Sequence, residues 1–163
     1  MTSDDSRTPP VAWQREVPES MCSLAGLANP DYVDLFTATT NEASAKSAEG
    51  WARAVLERAP YYIRLGIFGV AWRLLLGLRL GPRRSPGHIA GWKIAARGDS
   101  WVRIEAASWM ATAALVFKVD ETRLSWASFA RYERRVMALL WPAGSIVHRK
   151  VGVALMRRAL RAH

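Results

Sequence analysis

Cysteine is nearly absent from this 163-residue chain, which contains only Cys22. A single cysteine cannot form an intramolecular disulfide or a zinc site of the usual Cys-based kind. This usage fits a reducing compartment, so we expect a cytoplasmic protein. Histidine is also scarce, and His88, His148 and His163 have no spacing with carboxylates that suits metal binding. We therefore predict no metal site.

Motifs of common cofactor and nucleophile sites are missing as well. No Gly-x-Gly-x-x-Gly sequence links a strand pattern to a helix, and no phosphate-binding P-loop is present, so we expect no nucleotide cofactor and assign no other. Ser145 lacks the glycine two residues later that a nucleophile elbow requires. The first ten residues carry Asp4 and Asp5 and no apolar core, so the sequence predicts no signal peptide there.

Acidic residues are few in the second part of the chain. Residues 61–163 contain eighteen bases and five acids, residues 1–60 contain five bases and nine acids, and the net charge is +9. A basic region of this kind attracts anionic ligands, acidic lipids or nucleic acid. Because most of the bases are scattered rather than grouped in Lys/Arg tracts, nucleic-acid binding is disfavoured.

The longest apolar stretch covers residues 61–80, but it is not a convincing membrane span. Arg64, Arg73 and Arg79 interrupt it, and each would be costly at the centre of a bilayer. We interpret the stretch as an amphipathic helix of a globular domain. A peripheral contact with an anionic membrane surface stays open as an alternative.

The first part of the chain predicts an irregular N-terminal arm over residues 1–29, followed by one domain over residues 30–163. Alternation across residues 31–39 indicates a strand that places Tyr32, Asp34 and Phe36 on one face. Residues 47–58 have the helical period, with Ser47 as the N-cap, and Pro60 ends this helix. A second helical stretch over residues 61–78 contains several glycines, so we expect it to be bent or in two pieces.

The later sequence predicts an antiparallel meander. Residues 81–87 form a loop, and strands follow at residues 89–96, 101–109, 111–119 and 122–132. The turns between these strands are too short for parallel crossovers, so the strands must be antiparallel. A last helix covers residues 143–162, with Pro142 in its first turn. The predicted fold class is therefore α+β.

Four short motifs resemble an uncharacterised bacterial family of the START-like superfamily, also called SRPBCC, which includes the birch-pollen-allergen group. The motifs are Ser-Ala-Glu-Gly-Trp-Ala-Arg at residues 47–53, Ser-Pro-Gly-His-Ile-Ala-Gly-Trp at 85–92, Phe-Ala-Arg-Tyr at 129–132 and Ile-Val-His-Arg-Lys at 146–150.

The resemblance implies a helix-grip fold, in which a curved antiparallel sheet wraps around a long C-terminal helix and two helices follow the first strand. It also implies a mostly apolar cavity between the sheet and that helix. Members of the superfamily bind lipids, hormones or polyketides, and some act as cyclases or dehydratases.

The candidate ligand-binding residues are apolar or aromatic side chains of the meander and the last helix. Each suits the wall of an apolar pocket, and each equally suits ordinary core packing. The residues are Trp92, Ile94, Trp109, Leu115, Phe117, Trp126, Val151 and Leu155.

Three polar residues are candidates for catalysis if the protein is an enzyme. Glu105 is the only acid in the interior of the meander, and a carboxylate facing a cavity would have a raised pKa. His148 shares a helix face with Val151 and Leu155, so it can point inward as a proton shuttle or as a satisfied core histidine. Tyr132 shares the strand parity of Trp126.

The function predicted from the sequence is binding of an apolar or amphipathic small molecule between the sheet and the C-terminal helix. One alternative is a polyketide cyclase- or dehydratase-like enzyme that transfers protons in that cavity. The other is a peripheral membrane or partner-binding module that uses the helix at residues 61–80 and the basic face of the last helix.

Overall fold

The structure is a computed structural model that describes residues 8–162, and it has eight antiparallel strands in one curved, open sheet. The strands are β1 (Val11–Gln14), β2 (Tyr32–Thr39), β3 (Arg84–Ser85), β4 (His88–Ile89), β5 (Trp92–Arg97), β6 (Trp101–Ala107), β7 (Ala111–Val119) and β8 (Arg123–Tyr132). Their order across the sheet is β1-β2-β8-β7-β6-β5-β4-β3.

The helices are α1 (Glu19–Cys22), α2 (Ala48–Leu56), α3 (Tyr61–Ile63) and α4 (Val136–Arg161). A 3₁₀ turn, Ala43–Ala45, precedes α2, and a π-helical segment, Arg64–Leu75, continues directly from α3. The predicted α+β class and the long C-terminal helix are confirmed. Ser47 is the N-cap of α2, as predicted: its Oγ accepts a hydrogen bond of 3.0 Å from the backbone N–H of Gly50.

The predicted meander is confirmed over β6, β7 and β8, but its first strand is divided in two. The backbone turns sharply at Ala90 and Gly91, whose φ angles of 51° and 90° lie in the left-handed region. This turn separates β4 from β5, where the sequence predicted one strand. The predicted loop at residues 81–87 is also partly wrong, because Arg84–Ser85 pairs with β4.

The main core lies between the inner face of the sheet and helices α2 and α4. Each large apolar side chain that is removed from water there contributes about 1.5–3 kcal/mol to folding. Its fully buried members include Phe36, Trp51, Leu56, Ile104, Phe117 and Met156.

The second helical stretch, predicted to be bent or in two pieces, is continuous but changes its hydrogen bonding along its length. The α-helical turn of α3 changes to π-helical hydrogen bonding at Arg64, and the backbone N–H of Leu76 donates to the carbonyl of Ala71 five residues earlier at 2.9 Å. Within residues 8–162, no helix is long and apolar enough to cross a membrane.

The predicted start of the last helix is wrong. Helix α4 begins at Val136, and Pro142 lies in its interior rather than in its first turn. Met137 explains the earlier start: it is buried with Met110 and Ala111 in a small separate cluster. Packing of this side chain stabilises the helical turn before the proline.

The N-terminal arm is not irregular throughout. Strand β1 pairs with β2, and α1 follows it; residues 1–7 of the predicted arm lie outside the described residues. Met21 and Ala25 are buried against the outer face of the sheet, beside Val116 and Phe129. Because these outer strand positions are apolar, the arm covers surface that would otherwise face water.

Candidate functional site

A buried carboxylate marks the candidate site on the inner face of the sheet, beneath α4. Asp34 has no exposed surface, although it lies among apolar strand positions. Its strand neighbour Phe36 belongs to the main core, and its partner across β8 is Ser128. A charge without surface exposure requires hydrogen-bond partners, since desolvation of a carboxylate is costly.

Three side chains converge on Oδ2 of Asp34. The hydroxyl of Tyr32 donates a hydrogen bond of 2.6 Å, and the indole N–H of Trp13 donates one of 3.3 Å. Nε2 of His148 also lies 3.3 Å from this oxygen, and it lies 3.1 Å from Oγ of Ser128. The histidine on α4 is thereby tied to β2 and β8.

The pKa values of this group follow from burial and from the hydrogen bonds. Burial alone would raise the pKa of Asp34, but the hydrogen bond and positive charge of His148, with the Tyr32 hydroxyl, hold it below its ordinary value. Burial raises the pKa of Tyr32, and the neighbouring Asp34 charge raises it further. At neutral pH the group therefore contains an ionised carboxylate and a protonated phenol.

Aromatic rings surround His148. The rings of Phe36, Trp126 and Trp141 have their centroids 5.6, 5.9 and 5.7 Å from the imidazole, and that of Tyr32 is 6.3 Å away. Such rings exclude water while leaving polar edges available. The polar group is thus enclosed in an aromatic box.

Several polar atoms of this box are buried but have no hydrogen-bond partner among the described residues. They are Oδ1 of Asp34 and the indole N–H groups of Trp126 and Trp141. An unmet buried group costs about 1–3 kcal/mol, so native proteins leave few of them. The box therefore contains one acceptor and two donors that have no partner.

Of the predicted catalytic residues, only His148 lies in this box. Glu105 lies on the opposite face of the sheet, where its Oε1 is 2.9 Å from Nε of Arg103. Tyr132 lies at the far end of β8, in the small cluster with Met110 and Met137. The structure therefore does not bring the three predicted groups together.

The predicted ligand-binding residues are mostly part of the main core. Five are buried within it: Trp92, Leu115, Phe117, Trp126 and Leu155. Ile94 and Val151 are partly buried against the same core. Trp109 is 60% exposed, in the turn between β6 and β7. The ring of Trp126 packs against that of His148 at a centroid distance of 5.9 Å.

The sequence pattern did not identify Tyr32, Asp34, Trp13 or Trp141 as site residues. One signal was present: Asp34 alternates with two aromatic residues, which places a carboxylate on the apolar face of β2. Tyr32 shares that face of β2, but the other partners could not be found in this way, because they lie on β1, β8 and α4.

Two surface clefts lie away from the box, and neither is lined by a predicted ligand-binding residue. One of about 230 Å³ is bordered by the π-helical segment and contains the arginines Arg64, Arg73 and Arg83. The other, of about 590 Å³, lies between α2 and the end of α4 and contains Arg58, Arg157, Arg158 and Arg161.

No family model matches the sequence, and no curated protein or solved structure is significantly similar to it. Function is therefore inferred from the chemistry of the aromatic box.

Proposed function

We propose that the protein binds an amphipathic small molecule between the sheet and α4, with the polar group of the ligand in the aromatic box. The observation that carries this proposal is the unmet hydrogen-bonding capacity beside His148, where Asp34 Oδ1 and two indole N–H groups are idle. A ligand that supplies their partners would recover the desolvation cost of each group.

The chemistry of the box selects the polar group. Asp34 is ionised at neutral pH, because its pKa is held low, so its idle oxygen needs a hydrogen-bond donor. The idle indoles of Trp126 and Trp141 need an acceptor. A hydroxyl or an amide supplies both, whereas a carboxylate offers no donor and is repelled by Asp34. The proposed ligand is therefore a neutral amphipath with an apolar body.

The architecture supports a START-like assignment for residues 30–163, as the resemblance of the sequence implies. A curved antiparallel sheet, two helical segments after β2 and a long helix on the inner face are the parts of a helix-grip fold. In such a fold the ligand lies between the sheet and the last helix, which is where the box is located.

Ligand entry requires movement of the first half of α4, since Trp141 and His148 on this half cover the box. Pro142 has no backbone N–H to donate within this helix, which weakens the helical ladder. Leu139 and Leu140 on the same half are exposed, so they contribute little to its packing against the rest of the protein. This half of α4 is the segment that we expect to shift.

Removal of one idle donor tests the proposal. Trp141→Phe is expected to weaken the binding of decanol about fivefold, because one hydrogen bond contributes about 1 kcal/mol. Decanoate is expected to bind more weakly than decanol to the wild type. Titrations followed by intrinsic tryptophan fluorescence or calorimetry measure both affinities.

The matched control is Trp92→Phe. The indole N–H of Trp92 is also buried without a partner, but this residue lies on β5 beside Trp72, three strands from β8. The control also replaces tryptophan by phenylalanine, and it should leave the affinity for decanol unchanged. An equal loss in both variants would show that packing, rather than the box, determines the affinity.

A second candidate function is the enzyme alternative, favoured by the buried pairing of Asp34 with His148. A carboxylate that orients an imidazole is a common arrangement for general acid–base catalysis. Glu105 and Tyr132 lie elsewhere, so His148 would be the group that moves the proton. For a substrate that the protein turns over, His148→Ala should abolish turnover while binding persists; retained turnover would eliminate this candidate.

A further inference from the structure

The exposed large apolar side chains are concentrated in three places. Twelve such residues are found in the described chain, and all of them lie in the stretch from α3 through the π-helical segment, in the turn at Trp109, or in the first half of α4. Scattered exposed apolar residues need no explanation, but a concentrated set indicates an interaction surface.

These three places meet at one end of the molecule. Gly77, just after the π-helical segment, lies beside the indole of Trp109. The carbonyl of Met110 accepts hydrogen bonds from the backbone N–H groups of Glu133 and Arg134, directly before α4. Leu76 also packs in the same small cluster as Met137. We call this surface the apolar end; its residues are Leu74, Leu75, Trp109, Val136, Leu139 and Leu140.

The two stretches of chain that carry most of the apolar end are basic. Residues 58–98 contain eight bases and no acid, and residues 134–163 contain seven bases and no acid. Arg73 and Arg134 are exposed within these stretches. The nearest acid in sequence to α4 is Glu133, and it is paired with Arg131 at 2.9 Å. The surface thus combines apolar side chains with exposed bases next to them.

We propose that the apolar end docks on an anionic lipid membrane. Leucine side chains of the π-helical segment and α4 enter the boundary between headgroups and acyl chains, while the surrounding arginines attract the lipid phosphates. Trp109 suits this position, since tryptophan is enriched at membrane interfaces. The charge favours this partner over a second copy of the chain, which would bring two basic surfaces together.

Vesicle co-sedimentation tests the docking proposal. The full chain should sediment with vesicles of equal parts phosphatidylcholine and phosphatidylglycerol at low salt, and much less with pure phosphatidylcholine or at high salt. Leu74→Ser combined with Leu139→Ser should lower partitioning about tenfold, since two inserted apolar side chains are lost. Both leucines are strongly exposed, at 76% and 81%, so the fold should tolerate the change.

Charge variants complete the test. Arg134→Gln combined with Arg135→Gln should weaken sedimentation, whereas Arg123→Gln, at the opposite end of β8, should not. The proposal is overturned if the wild type does not bind anionic vesicles at low salt, or if the leucine variant binds as well as the wild type. A dimer that depends on Leu74 and Leu139, without vesicle binding, would also overturn it and identify a second copy as the partner.

Discussion

Replacement of Asp34 by alanine is expected to lower the free energy of unfolding by about 3–5 kcal/mol, because several side-chain donors lose their shared acceptor, at about 1–3 kcal/mol for each donor left unmet. The variant leaves the Tyr32 hydroxyl and the Trp13 indole without their acceptor, and it releases His148 on α4. Urea denaturation of the wild type and the variant measures the difference. Few single substitutions have effects of this size.

Glu105→Ala is the matched control, since it removes an acid that is paired on the other face of the sheet. Glu105 is 39% exposed beside Arg103, so loss of this pair should cost less than about 1 kcal/mol. Equal destabilisation by the two variants would contradict the assignment of Asp34 as the buried anchor of α4.

The pH dependence of the free energy of unfolding provides a second measure of how much Asp34 stabilises the fold. The folded pKa of Asp34 is lower than its ordinary value, so its stabilisation is fully present above pH of about 4, the unfolded value. The stabilisation is lost as the pH falls through the folded pKa. The stability difference between the wild type and Asp34→Asn should therefore be constant near neutral pH and shrink in acid. A difference that grows on acidification would contradict the sign of the shift.

Replacement of Gly152 by alanine is expected to destabilise the protein by about 1–3 kcal/mol, the usual cost of overpacking a core. A Cβ at this position would lie 2.5 Å from Cζ of Phe36. The phenyl ring is fully buried and has Trp126 at a centroid distance of 4.9 Å, so it has little room to move. The clash must therefore displace α4 from β2.

Helix propensity alone predicts the opposite result, since alanine is favoured over glycine by about 1 kcal/mol in a helix. Gly66→Ala serves as the control because nothing lies within 4 Å of its added Cβ. Thermal unfolding should show a lower midpoint for Gly152→Ala and no comparable loss for Gly66→Ala. A stabilised Gly152→Ala would mean that α4 does not pack closely on Phe36.

The elements that could be predicted from the sequence are those set by local pattern. Strand β7 has the predicted bounds, because its alternation and its flanking turns are contiguous in the chain. The Ser47 cap was likewise visible from neighbouring residues. The start of α4 could not be predicted, because it depends on the packing of Met137 against Met110. These two residues are far apart in sequence.

The candidate site was predictable only in part for a similar reason. The helical spacing placed His148 on the inner face of α4, and it does face the sheet. The sequence did not decide which sheet face lies beneath the helix; this face carries Val102 and Ile104 rather than Glu105. Tyr132 has the parity of Trp126 but is six residues away on the strand, or about 20 Å.

The most direct test of the proposed binding site is to follow the tryptophan indole N–H resonances by NMR while decanol is added. We expect the resonances of Trp126 and Trp141 to shift downfield as their N–H groups gain an acceptor, while that of Trp92 stays in place. Unchanged Trp126 and Trp141 resonances at saturating decanol, with a shift confined to the exposed Trp109, would contradict it.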